Sequence, residues 1–393
     1  MTHARPAAPL SSRRVAAAVV ALALGGFAIG TTEFVTMGLL PDIAGGVGVD
    51  IPSAGGVVSA YALGVVVGAP VIAALATRLP RRAVVVGLMS AFLVGNTLSA
   101  LAPGYGSLLL ARFAAGLPHG AYFGVASLIA ASLVAPHLRG RAVSSVMLGL
   151  AIANVAGVPA ATWLGQQLGW RSAYWAVVVV AALTVASVLA VVPTVPATRG
   201  ATVRTELTAL RRPQVLLTLV VAVVGFGGMF AVYSYVAPLV TEVTGMRRGA
   251  VPLVLLAFGV GGVAGTWLGG RLADRALFRS LVATTAASGL VLALVPLLAR
   301  SPWTVVPGIA LLSLAASSMV VCLQMRFMDV AGDAEMLGAA LNHSALNAAN
   351  ALGAWLGGVV IAAGLGYTAP GVVGAVLAAA GLLVLGWSAA LRR

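Results

Sequence analysis

The chain has 393 residues, of which 61% are hydrophobic and only 8% charged, against about 25% charged residues in a soluble domain. Its net charge of +14 comes from 23 cations, all of them arginine, scattered through short loops; this excludes a basic nucleic-acid-binding domain and fits the excess of cations on the cytoplasmic side of membrane proteins. The single cysteine, Cys322, lies in an apolar run, which excludes an intrachain disulfide and a cysteine metal cluster.

Apolar runs of about 20 residues have the length of a bilayer-crossing helix. Runs between charged or Pro/Gly breaks predict twelve spans, the first six at 15–37, 53–76, 83–102, 107–133, 142–164 and 172–193. The others follow at 214–239, 250–270, 280–299, 303–325, 336–363 and 370–390. The first run follows Arg13 and Arg14 and is too long for a signal-peptide core; no small-residue cleavage site precedes Glu33, so it reads as a retained span. With the N-terminus inside, eighteen arginines fall on the cytoplasmic side; Arg171, Arg247, Arg248 and Arg300 fall outside, and Arg112 lies within a span. Both termini are therefore expected in the cytoplasm. The absence of lysine reads as the codon bias of a GC-rich bacterium, and the expected location is the bacterial inner membrane.

The expected fold is all-α, with twelve transmembrane helices in two pseudo-symmetric bundles, residues 1–193 and 214–393. The cytoplasmic linker 194–213 between them carries Val203, Leu207 and Leu210 at helical spacing among arginines. It reads either as a short helix on the leaflet or as a solvated connection. An internal repeat supports the two halves. LATRLPRR at 75–82 matches LADRALFR at 272–279, and Pro41 matches Pro238, both at an offset of 197. Asn154 and Gly157 match Asn350 and Gly353 at an offset of 196. Parallel repeats are a known transporter plan, with the substrate cavity between them at mid-membrane depth.

Several residues are unusual for a hydrocarbon-spanning sequence. Glu33 lies in the outer third of span one, within GTTEFVTMGLLPDIA. Intramembrane charges cost several kcal/mol, roughly 2.5–3.5 on insertion scales, and tend to mark function. In span four, Arg112, Gly116 and His119 share one helical face. Arg112 matches Glu33 in depth, and such charges pair or face a wet cavity. Glu33 reads as a protonation switch or as a structural partner of Arg112; His119 reads as a second proton carrier or an interhelical hydrogen bonder. Span five holds Asn154, Gly157 and Pro159, a pattern for close helix approach and a bend that could gate, or for packing alone. Tyr233, with Phe230 and Tyr235, could wall a cavity or belong to an interfacial aromatic belt. Span eleven offers Asn342, His343, Asn347 and Asn350 as cavity candidates, with interhelical hydrogen bonding as the alternative.

The order and placement of GTTEFVTMGLLPDIA, RLPRR, ARFAAGLPHGAYFG, ANVAGVPAATWLGQQLGWR, GRLADR and LNAANALGAWLGG resemble the major facilitator superfamily over essentially the whole chain. Within it they resemble the twelve-span drug:proton antiporter branch, closest to arabinose-efflux and chloramphenicol-export permeases. The resemblance implies proton coupling at Arg112 and an antiporter motif at Asn154–Pro159. It also implies cytoplasmic charge locks in the loops holding Arg78, Arg81 and Arg82, and Gly270, Asp274 and Arg275. This chain departs from the pattern with Thr77 in place of the first loop's aspartate and Pro80 in place of its second glycine. It also has Ala161 and Thr162 where the antiporter motif ends in two glycines.

No Walker lysine exists and no HExxH motif occurs, so ATP hydrolysis in this chain is excluded and neither metal nor cofactor is expected. The function expected is proton-coupled efflux of a small organic molecule, drug or antibiotic, by a monomer whose partners are substrate, protons and bilayer. A sugar or metabolite exporter of the same fold is the alternative, and a non-transporting membrane sensor a more distant one. The carboxylate and aromatics favour amphipathic drugs, and the span-eleven amides favour polar substrates.

Overall fold

A computed structural model describes residues 11–76, 79–135, 138–194, 212–331 and 335–391. The described residues are helical throughout their ordered elements, with no strand among them. The helices are α1 (Ser12–Gly38), α2 (Gly56–Ala76), α3 (Arg81–Leu101), α4 (Tyr105–Ser132), α5 (Arg141–Leu168) and α6 (Arg171–Val191), followed by α7 (Pro213–Tyr233). Helix 251–298 runs continuously by hydrogen bonding, but Ala276 leaves helical geometry at φ −163°, ψ 76°. It therefore divides into α8 (251–275) and α9 (277–298), which replaces the open loop expected between spans eight and nine. The last three are α10 (Pro302–Ala331), α11 (Glu335–Val360) and α12 (Ala369–Ala390). Counted with that division, the helices long and apolar enough to cross a membrane number twelve among the described residues. The end of the molecule where α1 begins is called proximal, and the end where it finishes distal. Most of the linker, 195–211, and Arg78 lie outside the described residues.

Glycines set the packing. On α2, an added Cβ at Gly64 would stand 2.2 Å from the Phe113 carbonyl, and one at Gly68 would stand 2.0 Å from the Leu117 carbonyl. On α4, Gly116 approaches the Tyr61 carbonyl and Gly120 the Ala69 side chain. Small residues four apart on both helices let the backbones touch, the device that holds helices together where lipid removes the hydrophobic drive. The second half repeats it at an offset of 197: an added Cβ at Gly261 would lie 2.2 Å from the Ala310 carbonyl, and one at Gly265 2.3 Å from the Leu314 carbonyl. The α2–α4 crossing is therefore reproduced by α8–α10. We expect Gly64→Val and Gly261→Val each to cost about 1–3 kcal/mol by overpacking, read as matched drops in melting temperature of the purified protein.

Within the first six helices one apolar core lies around Leu22, Ile29, Phe92 and Ile129 and a smaller one around Val35, Leu39, Trp170 and Tyr174. A third, around Phe226, Phe258, Met319 and Phe327, also takes in Met37, Ala54, Val58 and Val158 from the first half. The two halves thus share apolar packing toward the distal end. Large apolar side chains on the perimeter face outward, with Trp303 89% exposed, as expected for a surface bathed in lipid.

In α5 the backbone of Ala153–Gly157 forms a π-turn just before Pro159. Proline has no N–H to donate, and a π-turn is a recurrent way to absorb such a break. Gly259 of α8 packs on this turn; a Cβ there would stand 2.4 Å from the Asn154 carbonyl. At the proximal end Arg81 donates to the Leu128 carbonyl in the last turn of α4. Arg82 donates to the Leu189 carbonyl at the end of α6. Both arginines thus satisfy carbonyls at helix C-termini, where cations are favoured. Asp274 and Arg275 are exposed, and Asp274 makes no ion pair among the described residues.

Candidate functional site

Arg112 is completely buried on α4. Its two terminal nitrogens donate to the Thr32 hydroxyl (3.0 Å) and the Thr32 carbonyl (3.1 Å) of α1. The guanidinium lies 4.3 Å from the Tyr61 ring centroid and 5.2 Å from that of Tyr174, attractive placements for a cation over an aromatic face. The Thr32 hydroxyl passes its own hydrogen to Asn96 Oδ1 at 2.6 Å. Thr36 and Tyr174 share a further bond of 2.9 Å. These contacts tie α1, α3, α4 and α6 around one cation. Lysine cannot make the planar two-pronged contact or the same stack, so Arg112→Lys should lower unfolding stability by about 2–3 kcal/mol, measured by thermal melting.

Glu33 is 7% exposed and forms no ion pair among the described residues. The direct Glu33–Arg112 pair expected from matching depth is not formed. Equal depth does not fix rotation about a helix, and Arg112 instead takes the neutral oxygens of Thr32, one residue earlier. Glu33 nevertheless lies within charge-interaction range of Arg112, Tyr61 and Tyr233. Tyr233 is buried, stacked on Phe258 at 3.9 Å between ring centroids, with Phe34 edge-on at 5.8 Å. Phe230, Tyr233 and Tyr235 are all buried, so they are not an interfacial belt.

His119 is buried on α4, with Nδ1 3.1 Å from the Tyr61 hydroxyl. This is the interhelical bond that the sequence left open. A ring ladder continues from it: His119 to Phe123 at 5.5 Å, then Phe123 to His343 of α11 at 5.9 Å and nearly parallel. The ladder crosses from the first six helices to the last six. On α11, Asn347 donates to the His343 carbonyl at 3.0 Å, whereas the buried Asn350 makes no side-chain hydrogen bond among the described residues. Asn342 stands about 100° round the helix from His343, and its amide donates to Gln324 of α10 at 2.8 Å. It is a tie within the second half and not part of the same face. Asn154, Gly157 and Pro159 sit in and after the π-turn against α1 and α8, and Gly270 meets nothing within 4 Å.

The distal end is sealed by contacts between halves that the sequence did not announce. Tyr235, where α7 breaks before Pro238, donates to the Ala354 carbonyl of α11 at 2.8 Å. Its ring tip sits against three glycines. An added Cβ at Gly55 would stand 1.9 Å from the hydroxyl, one at Gly358 2.6 Å from it, and one at Gly357 2.8 Å from the ring. Asp50 caps the turn that carries Pro52 and Gly55, accepting from the Ser53 N–H at 2.9 Å. Its bonds to Ser53 hold this carboxyl below the ordinary carboxylate range. Arg248 pairs with Asp42, and its carbonyl accepts from Gln166 at 2.9 Å. Above them lies a cavity of about 360 Å³ lined by Pro41, Asp42, Gln166, Glu242 and Arg248. A glycine at 55 and an Asp–Arg pair 206 residues apart leave no local pattern in the sequence.

The sequence model of the Major Facilitator Superfamily matches residues 22–341. The chain is 43% identical over 371 residues to the "Inner membrane transport protein YdhP" of Escherichia coli (strain K12), covering 94% of this chain and 95% of that protein. It is 38% identical over 258 residues to the "Chloramphenicol resistance protein" of Streptomyces lividans, covering 65% and 66%. It is 28% identical over 375 residues to the "Probable sugar efflux transporter" of Helicobacter pylori (strain G27), covering 94% and 93%.

Proposed function

The chain belongs to the Major Facilitator Superfamily, and from that premise we propose that this membrane transporter exports a small organic molecule from the bacterial cytoplasm in exchange for protons. The observation that carries the reading is Glu33, a buried carboxylate with no ion pair among the described residues, within charge-interaction range of Tyr61 in the first half and Tyr233 in the second. A buried carboxylate that forms no direct ion pair is free to bind either a proton or a substrate group, and competition between the two yields exchange. Arg112 holds α1 through Thr32, while His119, bonded to Tyr61, serves the first half as a structural joint.

The arginine distribution supports cytoplasmic termini and makes the distal end periplasmic. On this assignment the protein stands closed toward the periplasm. The halves 1–193 and 214–393 rock about their common seam, and one chain contains both, so a monomer suffices. A sugar or metabolite is the second substrate class, favoured by the amides of α11 and by the likeness to a protein named as a probable sugar efflux transporter.

The test is proton flux in sealed inverted vesicles carrying the purified chain, with a pH-sensitive dye reporting an imposed gradient. Amphenicols, cationic dyes and sugars are added in turn. Dissipation by one class establishes coupled export and names the class; transport of a compound with no proton movement overturns the coupling.

A further inference from the structure

The α11 helix turns one polar sector toward the seam between the halves. At about 100° per residue, His343, Asn347 and Asn350 fall within a sector of roughly 60°. One flank of that sector belongs to α2, where the Ser59 hydroxyl donates to the Ala351 carbonyl at 3.2 Å. The other belongs to α7, where an added Cβ at Gly353 would stand 2.3 Å from the Gly227 carbonyl. The sector therefore looks into the junction of α2 and α7.

Asn347 and Asn350 are 4% and 1% exposed. The bond from Asn347 to the His343 carbonyl uses its Nδ2, which fixes the orientation of that amide and leaves Oδ1 pointing away. Asn347 Oδ1 and both polar atoms of Asn350 are buried with no hydrogen-bond partner among the described residues. Native interiors leave few such atoms, and three on one sector of one helix are not a packing device. Together they offer two carbonyl acceptors and one amide donor. The parallel rings of His343 and Phe123 form a flat wall beside them.

We propose that Asn347 and Asn350 form a hydrogen-bonding subsite for the transported molecule, and that this molecule presents two neighbouring hydroxyl groups to them. The two carbonyl oxygens accept the ligand's hydroxyl hydrogens, and the Asn350 amide donates to one of its oxygens. The inference rests on the transport reading given above and assigns the polar end of the substrate. A site built to bond a hydroxyl rejects an analogue that lacks it, because its own buried polar atoms are then left unpaired.

Equilibrium binding to the purified full-length chain tests this with three probes: chloramphenicol, which has two hydroxyl groups; its diacetyl ester, in which both hydroxyl hydrogens are replaced; and arabinose, which has adjacent hydroxyls. The parent should bind a free-hydroxyl probe at least about tenfold more tightly than the ester, and Asn350→Ala and Asn347→Ala should reduce that preference to below about threefold. Size-exclusion profiles identify variants that fail to fold, and the comparison of diol with ester in the parent needs no mutation. The proposal is overturned by equal binding of diol and ester, by variants that keep the full preference, or by a parent that binds none of the three. Preferential diol binding without proton flux in vesicles overturns coupled export and leaves the subsite standing. Proton flux driven by a cationic dye, with no hydroxyl probe bound, does the reverse.

Discussion

Replacing Gly55 with leucine should leave a folded protein whose distal face no longer closes. In the closed arrangement a side chain at 55 has no space, because its first carbon would lie 1.9 Å from the Tyr235 hydroxyl and 3.1 Å from the Pro52 carbonyl. Tyr235 cannot swing clear, since its ring is held by Gly357 and Gly358 and its hydroxyl by the Ala354 carbonyl. Overpacking costs about 1–3 kcal/mol or more, so the closed population should fall roughly 10–100-fold, with transport falling in step. Parting of the halves at this seam would take Gly55 away from the Tyr235 tip and relieve the clash, which separates this substitution from one that merely unfolds the chain. A cysteine introduced at Gln166 reports the change through its reaction with a membrane-impermeant maleimide, because Cys322 is buried. Labelling should rise about tenfold or more in Gly55→Leu. Tyr235→Phe loses only a hydrogen bond of about 1 kcal/mol and should shift labelling about fivefold. Unchanged labelling in Gly55→Leu would show that the three-glycine socket is not part of the moving seam.

Glu33→Gln should abolish uphill export while leaving the fold intact. Glutamine keeps the size and hydrogen-bonding shape of the side chain but cannot take up or release a proton. Export driven by a pH gradient should collapse to simple equilibration, and the remaining flux should be the same at about pH 6 and pH 8, where no group of ordinary Asp or Glu type is left to switch. The same variant separates the two roles considered for this residue. Breaking a buried ion pair costs about 3–5 kcal/mol, because a charge is stranded. The Arg112 bonds go to Thr32 and its stack is on Tyr61, so no hydrogen bond of Arg112 is lost when Glu33 loses its charge. Melting temperature should hold or rise. A marked fall in stability would make Glu33 the counter-ion of Arg112 after all, and retained uphill export would remove it from coupling.

Much of the architecture is legible in the sequence because lipid imposes a length rule on apolar runs. The twelve spans follow from it directly. The repeat is written more fully than the matched loops suggest: Gly64 and Gly68 recur as Gly261 and Gly265, and both pairs mark backbone contact. The rarity of Glu33 and Arg112 made them stand out, but the sequence left their relation open, since spacing gives depth and face within one helix and says nothing about the neighbour's rotation. Asn342 failed for a related reason. One residue from His343 along the chain is a third of a turn around the helix, and that turn points to Gln324. Tyr235, Gly55 and the Asp42–Arg248 pair were illegible because each matters only through a residue far along the chain.

The distal seam closes with glycine backbones against one tyrosine tip, and this bears on how easily it can reopen. Ordering a long side chain costs up to about 2 kcal/mol of rotational freedom, and glycine has none to lose. Gly55 therefore meets and parts from the Tyr235 tip, which Gly357 and Gly358 seat within its own half, with no glycine side-chain entropy at stake, and tyrosine brings only two torsions. The rotamer-rich partner at that face is Arg248, which stands at the exposed rim. A seam made this way fits tightly without being deeply held, so its two positions can lie close in free energy, as a device that must visit both in every cycle requires.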